Sequence, residues 1–201
     1  MDAISFAITY DYLCPFARNA NEHVVTALKA GAPWEVRFVP FSLHQAHLDE
    51  DDTPVWKDKT RQRDIFAIEA GIAVRDMYPD KFPDIHLALF ALKHDQYESL
   101  TDEAAVEKAL GSCGVDSGPV LDAVRSGQLH DILAREHEET VKKHAVFGVP
   151  TFILDGTATF ARIMTRPEGD AKLARRTVER VLDLMVNSPE LNELKQTTIP
   201  R

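Results

Sequence analysis

Hydrophobic and polar positions near the N-terminus predict a strand, a helix and a second strand. Residues 4–10 (ISFAITY) are β-branched and aromatic, which is typical of a buried strand. Apolar residues at helical spacing follow over residues 16–30, and the alternating segment 34–41 (WEVRFVPF) predicts another strand. Two strands joined by a helix form a βαβ unit, so we expect them to be parallel.

Helical patterns occupy the middle of the chain, from about residue 53 to residue 144. Thr101 is expected to cap a helix that runs to Leu110, and further helices are predicted over residues 119–124 and 128–143. This region contains no internal repeat and no linker rich in glycine, proline and serine. The helices are therefore expected to form an insertion that packs onto the sheet.

The β pattern returns near the C-terminus. Residues 151–154 (TFIL) predict a strand, Asp155-Gly156 is a strong hairpin signal, and residues 157–163 are the expected antiparallel partner. Pro167 is expected to open a final helix that ends near Val186.

This order of elements predicts an α/β fold in three segments. A βαβ part covers residues 1–52, the α-helical insertion covers residues 53–144, and a ββα part covers residues 145–201. The two outer segments supply the strands, and the helices between them pack onto the sheet.

Composition and charge then exclude several classes of protein. Of the 201 residues, 44% are hydrophobic and 27% are charged, and the net charge is −9. This is an ordinary globular composition, and its acidity disfavours binding to nucleic acid. No apolar run approaches a membrane span, so no membrane partner is expected. The N-terminal segment lacks the basic and apolar regions of a secretory signal, so we expect a cytoplasmic location.

Cys14 is the first candidate for chemistry. It lies where the first strand ends and the helix begins, with Pro15 in the first helical turn. Unpaired N–H groups and the positive end of the helix dipole favour a thiolate there, which predicts a nucleophile with a lowered pKa. A buried structural cysteine is the alternative. With Cys113 as the second cysteine, the chain has too few for a disulfide framework or a cysteine-rich metal site, and no metal is expected.

The segment Gly148-Val149-Pro150-Thr151 is the second candidate. A proline at the mouth of a strand cannot donate to the sheet, and its peptide bond is sometimes cis. A cis bond would turn the backbone groups of Val149 outward beside the thiol, where they would pair with an extended thiol ligand or peptide.

These two motifs, in this order, resemble the thioredoxin fold. Cys-Pro-Phe-Ala stands at a helix start, and Val-Pro-Thr precedes a β-hairpin and a last helix. The separation between Cys14 and Pro150 leaves room for the helical insertion of the DsbA-like branch, and the resemblance spans nearly the whole chain. The resemblance implies that Cys14 is the nucleophile. It also implies these thiol-binding residues: Pro15, Phe16, Val149, Pro150 and Thr151.

Two further segments are similar to cytosolic DsbA-like proteins of actinobacteria, a group that includes the mycothiol-dependent nitroreductases. They are Asp11-x-x-Cys14-Pro15 and the tail Glu193-Leu194-Lys195. One position departs from the family pattern, because its Cys-x-x-Cys motif needs a cysteine where this chain has Ala17.

The resemblance therefore implies a monothiol thiol-disulfide oxidoreductase. Cys14 would attack a disulfide, and a low-molecular-weight thiol such as mycothiol or glutathione would resolve the adduct. No tightly bound cofactor is expected, because the sequence has no glycine-rich phosphate loop. One alternative is a thiol-dependent transferase, isomerase or nitroreductase that acts on an electrophile. Kappa-class glutathione transferases, which share the insertion, carry serine at the Cys14 position. A non-catalytic binding module is another alternative.

Three residues near these motifs have two interpretations each. Asp11 either tunes the thiol or caps the turn. Phe16 either contacts the ligand or belongs to the packed face of its helix. Cys113 either resolves Cys14 or is an incidental thiol, and a resolving role needs the two Cα atoms within about 7 Å.

Histidines and basic residues outside the motifs are interpreted as surface features. His130, His137 and His144 recur every seven residues, a rise of about 10.5 Å, which is too far for two ligands of one ion. We expect them to form a solvated or interface stripe. The basic cluster over residues 57–63 is expected to be a solvated helix face.

Overall fold

The computed structural model describes residues 3–198 and contains a four-stranded mixed β-sheet of order β2-β1-β3-β4. Its strands are β1 (Ile4–Tyr10), β2 (Trp34–Pro40), β3 (Thr151–Leu154) and β4 (Thr157–Phe160). β1 and β2 are parallel, with Ile4 opposite Trp34. β3 is antiparallel to both β1 and β4. The predicted βαβ unit and the hairpin at Asp155-Gly156 are confirmed.

Helices surround this sheet and fill the middle of the chain. They are α1 (Pro15–Lys29), α2 (Leu43–Ala46), α3 (Phe66–Met77), α4 (Phe82–His94), α5 (Glu103–Ser112), α6 (Ser117–Arg125), α7 (Gln128–His144) and α8 (Ala171–Asn187). A 3-10 helix, Gln62–Ile65, precedes α3. Helices α3 to α7 lie between β2 and β3, which confirms the helical insertion. Its boundaries at residues 52 and 144 stay predictions.

The ends of the predicted segments extend beyond the described part of the chain. Residues 1–2 of the first segment and residues 199–201 of the third lie outside the described residues. Between residues 3 and 198, no helix has the length and apolar character needed to cross a bilayer.

Helix α1 packs between the insertion and the C-terminal helix. It contacts α4 on one side and α8 on the other. Three small residues on its buried face, Ala17, Ala20 and Ala27, are at most 1% exposed. Small side chains permit this close approach, and the helix that begins at the candidate cysteine is therefore held on two sides.

Three predicted element ends are wrong, and side-chain caps explain two of them. Asp170 begins α8, because its carboxylate accepts hydrogen bonds from the Lys172 and Leu173 N–H groups at 2.9 Å, whereas Pro167 lies in the preceding turn. Asp102 begins α5 in place of Thr101. β4 ends at Phe160, short of the predicted residue 163.

His137, the central residue of the α7 histidine stripe, faces the protein interior, so the expected solvated or interface stripe is wrong at that position, whereas His130 and His144 are half-buried. His137 is 5% exposed, its ring lies 4.2 Å from that of Phe41, and its Nδ1 accepts a hydrogen bond from the Ser42 N–H. Burial lowers the pKa of His137 to about 4, so this ring is neutral at neutral pH. His130 pairs with the buried carboxylate of Glu69 on α3. The stripe therefore joins α7 to the rest of the core.

Candidate active site

Cys14 is the N-cap residue of α1. Its backbone is extended, with φ −91° and ψ 118°, and its N–H donates to the Asp11 carbonyl at 3.1 Å. The Ala17 N–H donates to the Cys14 Sγ at 3.4 Å. Pro15 occupies the first helical position, where a missing N–H costs nothing. The sulfur thus takes the place that a capping oxygen occupies at other helix starts.

The loop before β3 lies against this sulfur. The Val149–Pro150 peptide bond is cis, and the Cys14 S–H donates to the Val149 carbonyl oxygen at 3.4 Å. Cys14 is only 8% exposed, and Val149 is 3% exposed. The structure therefore brings the Cys14 motif and the Val149-Pro150-Thr151 motif together.

Thr151 holds the loop from inside. Its N–H donates to the Thr9 Oγ1 at 2.9 Å, and its hydroxyl donates to the Gly148 carbonyl at 2.8 Å. Thr151 is 3% exposed. Because both of its donors are engaged within the protein, Thr151 contributes to the site by positioning the loop.

Asp11 has a capping role. Its two carboxylate oxygens accept hydrogen bonds from the Leu13 N–H at 2.9 Å and from the Leu43 N–H at 2.7 Å. Burial raises the pKa of Asp11, and the two N–H donors oppose that rise. Asp11 therefore ties the end of β1 to the segment that follows β2, which fixes the approach of the chain to Cys14.

Aromatic residues and one arginine border the thiol. The Arg162 guanidinium lies 5.5 Å from the Phe16 ring centroid and 5.9 Å from that of Phe160. Phe147, which is 73% exposed, packs against Phe160 with the ring centroids 5.1 Å apart. Phe16 is half-buried, so it both packs and forms part of the surface.

The sequence analysis missed Phe147, Phe160 and Arg162. The sequence contains a usable signal for two of them. Residues 160 and 162, at and just after the end of β4, are two positions apart and therefore fall on one face of an extended segment. The register between β3 and β4 places Phe160 opposite Thr151, directly after the proline loop.

Burial raises the pKa of the Cys14 thiol, so the lowered pKa predicted from the sequence is wrong. Hydrogen bonds from the Ala17 and Phe16 N–H groups oppose the rise. The charge of Asp11 adds to it, and the charge of Arg162 lowers the pKa. The helix terminus acts as predicted, but desolvation of the thiolate outweighs it.

Alkylation of Cys14 is therefore expected to show a high inflection. Burial favours the protonated form of the thiol. The rate of alkylation by iodoacetamide should therefore rise about tenfold per pH unit up to an inflection that lies above ~8.5, the pKa of a free thiol. The measurement uses the Cys113→Ser variant, so that only Cys14 reacts. The same variant unfolded in urea is the control, and a native inflection below the unfolded one would contradict the prediction.

A buried hydrogen-bond chain supports the first turn of α1. The Tyr12 hydroxyl donates to His86 Nδ1 at 3.0 Å, and His86 Nε2 donates to the Asn21 Oδ1 at 3.0 Å. The Asn21 amide then donates to the Ala17 carbonyl at 2.8 Å. Burial lowers the pKa of His86 to about 3, so the ring is neutral and the chain of donors is consistent. The insertion helix α4 thereby holds the turn that begins at Cys14.

Gly71 on α3 lets the ring of Tyr12 lie against the helix backbone. A Cβ at position 71 would lie 3.1 Å from both Cε2 and Cζ of Tyr12, and closer still to its hydroxyl. Tyr12 is 1% exposed and has no room to retreat. The glycine is needed here for close approach.

Other sequence candidates lie elsewhere. Cys113 is the C-cap residue of α5 in the insertion, and both Cys113 and Cys14 are free thiols. The basic cluster of residues 57–63 lies before α3. Between residues 3 and 198, no group of three or more His, Cys, Asp or Glu side chains is arranged to hold a metal ion.

A cysteine at the start of the first helix, facing a proline loop at the mouth of β3, defines a thioredoxin-fold protein with a thiol site. The DsbA-like form of that fold has a helical insertion, as this chain does. The sequence profile of the DSBA-like thioredoxin domain family matches residues 7–165. The chain belongs to this family.

Solved structures share the fold. The thiol-disulfide oxidoreductase MdbA of Actinomyces oris is 18% identical with a TM-score of 0.61, covering 87% of this chain and 80% of that chain. A putative protein disulfide isomerase of Nitrosomonas europaea is 10% identical with a TM-score of 0.60, covering 89% and 99%. Pseudomonas aeruginosa DsbA is 21% identical with a TM-score of 0.53, covering 90% and 84%. No curated protein sequence matches the chain significantly.

Proposed function

We propose that the protein is a monothiol thiol-disulfide oxidoreductase that uses Cys14 and a low-molecular-weight thiol of the mycothiol or glutathione type. The observation that carries the proposal is Ala17. Its N–H contacts the Cys14 sulfur, its side chain is 0% exposed, and it occupies the position of the family's second cysteine. An internal disulfide with position 17 is therefore absent, and we expect the partner thiol to be a small molecule.

The reaction proceeds by two exchanges. The Cys14 thiolate attacks one sulfur of a disulfide, so a new S–S bond forms, the old one breaks, and the leaving thiolate takes up a proton. A thiolate of the small thiol then attacks the adduct and releases Cys14. In these two exchanges one half of the substrate disulfide leaves as a thiol, and the other half leaves as a mixed disulfide with the small thiol. The Val149 carbonyl oxygen accepts the hydrogen bond of the Cys14 S–H at rest and thereby fixes the direction of the thiol.

A second candidate function is supported by the same hydrogen bond. A thiol that remains protonated and donates to a carbonyl resembles a hydroxyl that holds the sulfur of a bound thiol cofactor. The raised pKa of Cys14 favours this state. In that case the protein is a transferase, isomerase or nitroreductase related to the kappa-class glutathione transferases.

Location of a mixed disulfide tests the proposal. The reduced Cys113→Ser variant is incubated with glutathione disulfide and, separately, with mycothiol disulfide, and the adduct is located by peptide mass. We expect an adduct on Cys14 that is removed by the corresponding reduced thiol. The variant with both cysteines replaced by serine is the control.

Failure of adduct formation would overturn the oxidoreductase proposal, and two further readouts separate the alternatives. A bound reduced thiol that is conjugated to 1-chloro-2,4-dinitrobenzene would indicate a transferase. Neither adduct nor conjugate would indicate a binding module.

A further inference from the structure

We infer that Arg162 forms an anion subsite beside Cys14, which selects small thiols and disulfides that carry carboxylates. This inference rests on the proposed function and deepens it, because it names the chemical class of the small thiol. Glutathione carries two carboxylates, whereas mycothiol carries none. The juxtaposition that points to the subsite is an exposed guanidinium that is stacked on Phe16, two residues after Cys14, and carried by a segment bonded to the proline loop.

The backbone that carries Arg162 is anchored on both sides. The Ala161 N–H donates to the Pro150 carbonyl at 3.1 Å, which joins this segment to the proline loop. The Asn19 amide of α1 donates to the Ile163 carbonyl at 3.0 Å, which joins it to the helix of Cys14. Arg162 is therefore fixed relative to both halves of the active site, and little order has to be gained when a ligand binds.

The side chain is positioned as well. The Arg162 guanidinium lies over the Phe16 and Phe160 rings, at 5.5 and 5.9 Å from their centroids. Stacking on aromatic faces leaves the N–H edges of a guanidinium free, and these edges match a carboxylate in a bidentate geometry. Phe16 comes two residues after Cys14, so the platform itself belongs to the thiol site.

The charge of Arg162 is available to a ligand. Arg18 and Arg166, which also lie near α1, form ion pairs with Asp95 and Glu22 respectively. In the described part of the chain, residues 3–198, Arg162 forms no ion pair, and its side chain is exposed. An unpaired cation held beside a thiol is unexpected for a purely structural role.

Because the protein carries a net negative charge, a single cation at the site has a large effect on the approach of anionic thiols. The net charge is −9, so anionic thiols meet a repulsive field as they approach. Screening limits that field to about 8 Å at physiological salt, so a cation at the site itself decides the final approach. The charge of Arg162 also lowers the pKa of the Cys14 thiol, in agreement with the anchored position of its segment beside the proline loop.

The test compares three disulfides of different charge. Reduced Cys113→Ser protein, with and without Arg162→Gln, reacts with glutathione disulfide, hydroxyethyl disulfide and cystamine, which are anionic, neutral and cationic. Loss of Arg162 raises the pKa of Cys14 and therefore slows all three reactions alike, so each rate is divided by that of hydroxyethyl disulfide. We expect the ratio for glutathione disulfide to fall about fivefold, the size of a strong exposed ion pair. The ratio for cystamine should rise.

Arg176→Gln is the matched control. Arg176 is exposed on α8 and its replacement changes the net charge equally. We expect its three rates to match those of the parent protein. An unchanged glutathione ratio in Arg162→Gln, or an equal fall in both variants, would overturn the inference.

Binding of a blocked thiol separates this inference from the proposed function. S-methylglutathione cannot form a disulfide, so its affinity, measured by calorimetry, is independent of Cys14 chemistry. We expect S-methylglutathione to bind the parent protein about fivefold more tightly than it binds Arg162→Gln. The dimethyl ester of S-methylglutathione should bind the parent protein about fivefold more weakly than the free acid does. Equal affinities would overturn the subsite even if Cys14 exchanges disulfides. Unequal affinities in a protein that forms no mixed disulfide would retain the subsite and overturn only the oxidoreductase.

Discussion

Replacing Ala17 with cysteine is expected to give the protein an internal disulfide that it lacks now. The Ala17 N–H already contacts the Cys14 sulfur at 3.4 Å, so a sulfur attached at position 17 falls within bonding reach after a rotation of its side chain. In the Cys113→Ser background, mild oxidation should convert both thiols fully, with a mass loss of about 2 Da. The parent should form no internal bond. Exchange should then proceed without a small thiol, because position 17 supplies the resolving group.

Ala20→Cys is the matched control for this gain. Ala20 is also 0% exposed and lies on the same helix, but a rise of about 9 Å from Cys14 exceeds the reach of a disulfide. That variant should keep two free thiols under the same oxidation. An Ala17→Cys protein that stays reduced against a strong oxidant would show that position 17 does not face Cys14.

Replacing Gly71 with alanine is expected to cause a large loss of stability. The new Cβ would lie 3.1 Å from two ring atoms of Tyr12, which is buried and hydrogen-bonded to His86. Overpacking of this kind costs about 2–3 kcal/mol. For a chain of this length, the Tm should fall by roughly 5–10 °C, measured by calorimetry or circular dichroism.

Two further variants separate the clash from the general effect of glycine. Gly111 lies in α5, and a Cβ there would meet nothing within 4 Å, so Gly111→Ala should raise stability by up to about 1 kcal/mol. Tyr12→Phe removes the atom nearest to the new methyl group and should recover part of the stability lost in Gly71→Ala. If Gly71→Ala and Gly111→Ala are equally stable, α3 and Tyr12 are not in close contact.

The sheet was predictable because its signals are local. Residues 4–10 and 151–154 are rich in β-branched and aromatic residues, and Asp155-Gly156 fixes the hairpin between neighbouring strands. Helix ends were less predictable, since neighbouring residues compete for the cap. Asp102 caps α5, while the adjacent Thr101 hydroxyl bonds to Ser99 at 2.9 Å.

The two motifs of the site were predictable, but the aromatic residues and the arginine around them and the environment of the thiol were not. Cys14 and Val149 meet as the motifs indicate, because each motif stands at the end of a strand. The direction of the Cys14 pKa shift depends on burial by residues from distant parts of the chain, and no local pattern reports it. Burial of His137 depends likewise on the aromatic side chains that α7 meets, which include Phe41.

The contact between Cys14 and Val149 joins residues that are 135 positions apart in the sequence, and this has a consequence during translation. Neither the carbonyl that covers the sulfur nor the segment of Arg162 exists until most of the chain has been made. At about 5–20 residues per second, the ribosome needs roughly 7 to 27 seconds to extend the chain from Cys14 to Val149. For that interval Cys14 has no Val149 carbonyl to donate to, and the thiol gains this cover only when the segment before β3 docks against α1.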